Sequence, residues 1–207
     1  MHRAKNFPAR GLYAITDGPR VDLIRTVEAA LAGGAAVVQY RDKSADRDRR
    51  RAEAHALKGA CDHHGVPLIV NDDVDLAADI GAGVHLGEDD GELAIARERL
   101  GADAIIGVSC YDSLDRAHAA AEAGADYLAF GSFFASPTKP SARRATVELL
   151  RAAKSLGPPI VAIGGITPDN ASPLIDAGAD FVAVISGIFA ADDIEQATRR
   201  YTNLFQN

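Results

Sequence analysis

Apolar residues gather in short runs along the chain: LYAIT (12–16), AVVQY (36–40), PLIVN (67–71), GVHLG (83–87), AIIGVS (104–109), YLAFGS (127–132), PIVAIGG (159–165) and FVAVIS (181–186). Each run is short, rich in β-branched residues and apolar on both faces, as parallel strands covered by helices must be. Between them lie alanine-rich segments of helical period, such as VDLIRTVEAALAGG and SLDRAHAAAEAGA. Strand alternating with helix eight times predicts an α/β fold, a compact (β/α)8 TIM barrel covering residues 1–207 as a single domain. The competing architecture is a doubly wound open sheet, which usually needs about five or six strands. Eight runs favour closure.

A weak internal echo supports the barrel. AGGAAVVQY, IGAGVHLG, LGADAIIGVS, AGADYLAFGS and AGADFVAVIS share one plan. In each, a helix ends near glycine, whose left-handed conformation caps it at little cost, and a small residue leads into the next strand. No Ser/Gly tract, Pro-rich segment or low-complexity run divides the chain.

A barrel fixes where chemistry belongs, because its active site lies at the C-terminal strand ends and their βα loops. The second run closes with Gln39, Arg41 and Lys43, which project to one face of an extended chain. Two like charges held side by side repel unless a polyvalent anion lies between them. Asn71-Asp72-Asp73 and Glu88-Asp89-Asp90 follow the third and fourth runs. Asp72 and Asp90 can converge on one hard cation such as Mg2+, which favours one or two carboxylates plus phosphate oxygens. Asp73 and Asp89 fit the plainer role of helix N-caps. Ser109-Cys110-Tyr111 closes the fifth run, with Cys110 expected to line the pocket rather than act as a nucleophile. His85, inside its run, reads as a hydrogen-bonded core histidine.

The last three loops extend this rim. SPTKPSARR, with Ser136, Thr138, Lys139, Arg143 and Arg144, has the length and polarity of a lid. Gly164-Gly165 followed by Thr-Pro-Asp-Asn exposes backbone N–H groups near an expected helix start, an arrangement that favours a phosphate monoester. The same residues also suit a tight turn with Thr167 as an N-cap, and both roles are compatible. Ile185-Ser186-Gly187 completes the set.

Composition narrows the class. The chain is 47% hydrophobic and 25% charged, with a formal net charge of −7, which argues against a nucleic-acid surface. Arg47, Arg49, Arg50 and Arg51 alternate with Asp46, Asp48 and Glu53, so they read as a solvated helix face. Two cysteines offer neither a disulfide framework nor metal-ligand spacing. The first residues, MHRAKNFPARG, lack the apolar core of a secretory signal, and no apolar stretch reaches the ~18 residues a membrane span needs. A cytoplasmic protein with small-molecule substrates, monomeric or homodimeric and without nucleic-acid or membrane partners, is expected.

QYRDK, NDD, GVHLGEDD, GVSCY, FGSFFASPTKP, IGGITPDN and VISGIF, in this order, resemble the thiamine-phosphate synthase family from Leu12 to the last helix. VAIGGI alone recurs in many phosphate-binding barrels, whereas seven motifs in register are specific. The resemblance implies coupling of 4-amino-2-methyl-5-(diphosphooxymethyl)pyrimidine to 4-methyl-5-(2-phosphoethyl)thiazole, giving thiamine phosphate and pyrophosphate with Mg2+. It implies that Gln39, Tyr40, Arg41, Asp42, Lys43, Asn71, Ser109 and Lys139 hold the pyrimidine diphosphate, with Ser109, Lys139 and Arg41 as the catalytic groups. Asp72 and Asp90 match the metal ligands. Ser136, Pro137, Thr138, Gly165, Ile185 and Ser186 match the thiazole-phosphate site. Glu88 stands where the family commonly has Gln, and Ala135 where it often has Pro. The alternatives are a thiazole tautomerase on the same barrel, another phosphate-binding isomerase or aldolase, and a non-catalytic thiamine-phosphate-binding protein.

Overall fold

The computed structural model describes residues 7–135 and 144–206. Its strands are β1 (Gly11–Ile15), β2 (Val37–Tyr40), β3 (Leu68–Asn71), β4 (Gly83–Leu86), β5 (Ile106–Tyr111), β6 (Tyr127–Gly131), β7 (Ile160–Ile163) and β8 (Phe181–Val184). They pair in parallel in chain order, and β8 returns to β1 with Gly11 beside Phe181. The barrel is closed, as the alternating pattern predicts.

The helices are α1 (Leu23–Ala32), α2 (Arg47–His64), α3 (Val74–Ile80), α4 (Leu93–Leu100), α5 (Leu114–Glu122), α6 (Val147–Ala153), α7 (Ser172–Asp176), α8 (Ser186–Phe189) and α9 (Ile194–Thr202). Asp46, Asp73, Ser113, Thr146 and Asp193 each cap a helix by accepting from the backbone N–H three residues on. A side-chain acceptor there satisfies a donor that the helix itself leaves unpaired. Asp73 therefore fills its capping role, and Arg50 pairs with it at 2.9 Å. None of the helices among the described residues is long and apolar enough to cross a membrane.

Successive strand residues face opposite ways and build two cores. Outward residues such as Leu12, Val38, Val84, Ile106, Leu128, Ile160 and Val182 pack beneath the helices. Inward residues such as Tyr13, Ile15, Val37, Ile69, Tyr127, Val161 and Phe181 fill the barrel, and Phe7 stacks on Tyr127 with ring centroids 5.0 Å apart.

The repeated AGAD segments have a shared structural purpose. The Asp126 N–H donates to the Ile106 carbonyl, and the Asp126 carboxylate accepts from the Ile106 N–H, each at 2.8 Å. Asp180 repeats both bonds with Ile160. Each aspartate thus ties the start of one strand to its neighbour. Arg97 and Lys154 neutralise the two carboxylates at 2.7 Å.

The arginine-rich face of α2 is more structured than a solvated surface. Arg49 bonds Glu53, Arg50 bonds Asp73, and Arg51 grips Asp79 through two nitrogens at 2.8 Å.

Candidate active site

The inward residues at the C-terminal strand ends surround a cavity of about 470 Å3. Gln39, Arg41, Lys43, Asn71, Asp72, Asp90, Ser109 and Ile185 all line it. The alternation at the end of β2 thus brings Gln39 and both cations into one space. Arg41 is held from below: its N–H donates to Thr16 Oγ1 at 2.8 Å, and the Thr16 hydroxyl donates to its carbonyl at 3.2 Å.

Tyr40 and Asp42 have the opposite parity, and the structure corrects both assignments. Tyr40 is buried beneath α2 and donates to Glu53 at 2.6 Å. The Asp42 carboxylate accepts from the Ser44 N–H at 2.8 Å and lies 2.7 Å from Arg49 Nη2. Burial opposes its charge, but Ser44 and Arg49 outweigh it and hold the carboxyl below its usual range. Asp42 fastens the β2–α2 loop rather than facing the cavity. Cys110 is likewise turned to the outer core, where burial pushes its thiol up to about 12.

The carboxylate pair is electrostatically unfavourable by itself. Asp72 adopts a left-handed backbone with φ 67°, a strained conformation for a non-glycine residue, which its N–H stabilises by donating to the His85 carbonyl at 2.9 Å. Asp90 accepts from the Gly87 N–H at 2.6 Å. Burial, then the Asp72 carboxyl beside it, raises the Asp90 pKa. Lys43 stands 3.1 Å from Asp72. Two adjacent carboxylates with one lysine fit a hard divalent cation that takes its remaining ligands from phosphate and water. Among the described residues no three His, Cys, Asp or Glu side chains cluster as a complete metal cage. A wider groove of about 620 Å3 between α2 and α4 reaches the same Asp72 and Asp90 from outside.

The glycine pair differs from the expected helix start. A turn separates it from α7, which begins only at Ser172, and the Thr167 N–H donates to Asn170 instead of Thr167 capping a helix. Gly164 lines the cavity, while Gly165, at φ 63°, is pressed against the preceding loop. A Cβ at Gly165 would approach the Ala135 carbonyl oxygen to 2.5 Å. The Phe134 N–H donates to the Gly164 carbonyl at 2.9 Å, so the end of β7 guides the start of the β6–α6 loop. Ile185 borders the cavity and Ser186 opens α8 beside it. Ser136, Pro137, Thr138, Lys139 and Arg143 lie outside the described residues.

Sequence reasoning passed over two tyrosines. Tyr13 and His85 line the cavity, and Tyr127 lies buried beneath them; the His85 imidazole meets Tyr127 at Nδ1 (2.9 Å) and Ser109 at Nε2 (2.8 Å). Burial lowers the His85 pKa to about 4, with Asp90 pulling weakly the other way, so the ring is neutral near pH 7. Their inward parity was readable, but pairing across the barrel was not. Arg116 on α5 is another: it donates to the carbonyls of Ser109 (2.6 Å) and Gly87 (3.0 Å), locking two strand ends together.

Comparison with known proteins points to one family. A family model described as thiamine monophosphate synthase matches residues 12–188. A thiamine-phosphate synthase from Thiobacillus denitrificans is 56% identical over 205 residues, covering 97% of each chain. One from Halorhodospira halophila is 54% identical, covering 95% of this chain and 94% of its own. The solved thiamine phosphate pyrophosphorylase from Pyrococcus furiosus superposes with a TM-score of 0.86 at 35% identity, over 96% of both chains.

Proposed function

The chain belongs to the thiamine monophosphate synthase family, and from that membership we propose that it couples the pyrimidine methyl diphosphate to the thiazole phosphate, releasing pyrophosphate. The observation that carries this reading is the convergence of Arg41, Lys43, Asp72, Asp90 and Ser109 on one cavity. That set suits a diphosphate leaving group better than any single phosphate.

Asp72 and Asp90 would hold Mg2+. Bound there, the ion supplies positive charge that spreads the charge of the departing diphosphate. Arg41, Lys43 and Lys139 add to that stabilisation as the C–O bond lengthens, the stage at which fixed charge lowers a barrier most. Gln39, Asn71 and Ser109 orient the pyrimidine, whose exocyclic carbon becomes cationic as pyrophosphate leaves. Gly165, Ile185 and Ser186, with Ser136, Pro137 and Thr138, hold the thiazole phosphate so that its ring nitrogen faces that carbon. Holding both partners replaces a random encounter with a prepared approach. The reaction consumes two small molecules, and a cytoplasmic location suits it.

A tautomerase on the same barrel would need a free histidine base. His85 is engaged at both nitrogens and its basicity is depressed by burial. The decisive experiment supplies both substrates with Mg2+ and follows pyrophosphate and thiamine phosphate together. Equal release of both, abolished by excess EDTA and restored by Mg2+, is the expected result. Release that persists unchanged in the chelator refutes the metal-assisted reading, and no release under Mg2+ saturation refutes the synthase reading.

A further inference from the structure

Beneath the cavity, a line of hydrogen bonds crosses the barrel from β2 to β5. Gln39 Nε2 lies 3.1 Å from Tyr13 Oη, and Tyr13 Oη lies 2.7 Å from Tyr127 Oη. Tyr127 Oη lies 2.9 Å from His85 Nδ1, and His85 Nε2 lies 2.8 Å from Ser109 Oγ. Tyr13 and Tyr127 are almost wholly buried, at 1% and 0% exposure. Each phenol must therefore find its partners inside the protein.

Counting protons gives the line a direction. An amide nitrogen only donates, so Tyr13 accepts from Gln39 and must direct its own proton to Tyr127. Tyr127 then donates to His85 Nδ1. A neutral imidazole that accepts at Nδ1 carries its proton on Nε2, and that proton goes to Ser109 Oγ. The Ser109 hydroxyl hydrogen is left for the cavity. At the other end, the Gln39 amide donates one N–H to Tyr13 and keeps its second N–H and its carbonyl oxygen.

We propose that Tyr13, Tyr127 and His85 are positioning residues, a one-way hydrogen-bond relay that anchors the Gln39 amide nitrogen, fixes the His85 proton on Nε2 and presents Ser109 to the substrate as a donor. The relay rests on the synthase reading only for what occupies the cavity. Its alignment is built into the packing. Phe7 and His85 both lie nearly parallel to the Tyr127 ring, at 5° and 14°. Gly107 leaves the space that this ring fills, since any Cβ there would fall within it. Low local polarity strengthens each bond and makes the reversed order, with Ser109 accepting from substrate, a discrete alternative rather than a blend.

The test needs no substrate at first. Long-range 1H–15N spectra of histidine-labelled full-length protein report which ring nitrogen bears the proton, with His85 assigned through its loss in His85→Asn. The Nε2–H form is expected, and Tyr127→Phe should erode that preference. An Nδ1–H form in the unmodified protein overturns the relay whatever the enzyme does.

Kinetics supply the second arm. Tyr127→Phe should lower kcat/KM for the pyrimidine diphosphate by about tenfold, the scale of one oriented hydrogen bond, while the KM for the thiazole phosphate holds. In a Ser109→Ala background the same change should cost nothing further. Independent, multiplying losses would mean that Tyr127 acts through the fold, and would overturn the proposal. Should Tyr127→Phe fold poorly, Tyr13→Phe interrupts the same line one step earlier and is read the same way. Absence of pyrophosphate release with an Nε2–H tautomer would refute the synthase reading and leave the relay standing.

Discussion

The two faces of the same eight strands differ sharply in chemistry. Outward positions carry Leu12, Val38, Ile106, Leu128 and Val182, an apolar layer under the helices. Inward positions carry apolar residues low in the barrel, then a hydrogen-bonded Tyr13–Tyr127–His85 layer, then charges at the rim. A parallel strand alternates its side chains, so one segment serves both requirements. Burial is therefore no guide to purpose here. Gln39 and Tyr40 are both buried, yet Gln39 faces the cavity and Tyr40 bonds Glu53 under α2. One residue of register separates a cavity-lining side chain from a structural one.

That contrast is best broken from the outside first. Leu128→Ala, at a fully buried outward position, should cost about 3 kcal/mol of stability by removing packed methyl groups, with kinetics of the remaining folded enzyme unchanged. Urea unfolding with parallel assays checks it, and a matching fall in kcat per folded molecule would blur the division. Asp72→Asn, on the rim, should show the reverse. At least a 100-fold loss of turnover is expected, equivalent to about 2.7 kcal/mol, with little change in the unfolding midpoint. A loss below about fivefold would mean that Asp72 has been misassigned.

Gly165→Val tests the rim nearer β7. Its left-handed backbone and the Ala135 carbonyl beside it exclude a branched side chain. The KM for the thiazole phosphate should rise about tenfold, well beyond any change for the diphosphate, and the reverse order would remove Gly165 from that site. The smallest effect belongs to the outer partner of Gln39. Tyr40→Phe deletes the bond to Glu53 and should cost about 1 kcal/mol of stability while leaving kcat within about twofold. A larger kinetic effect would return Tyr40 to the active site.

Much of this was legible along the chain because periodicity carries it. Each strand run appears where its apolar cluster lies, and Gln39, Arg41 and Lys43 share a face because extended chain alternates. The errors at Tyr40 and Asp42 have one cause: a motif carried over whole ignores the alternation of its even members, and the pocket-lining reading of Cys110 neglects the same parity. The turn expected at the glycine pair is present, but the Thr167 N-cap is not, for another reason. Thr-Pro-Asp-Asn resembles a helix start, but the Asn170 side chain captures the Thr167 N–H and closes a turn first.

The order of elements, their alternation and the family to which the chain belongs were determined by the sequence alone, since local pattern and motif order survive without coordinates. Only the tertiary structure decided that Tyr13, Gln39, His85, Ser109 and Tyr127 form one hydrogen-bonded line. Those residues come from five strands and are up to 114 positions apart, as between Tyr13 and Tyr127. Barrel closure sets such distances, and no periodicity along the chain encodes which inward side chains will meet across it.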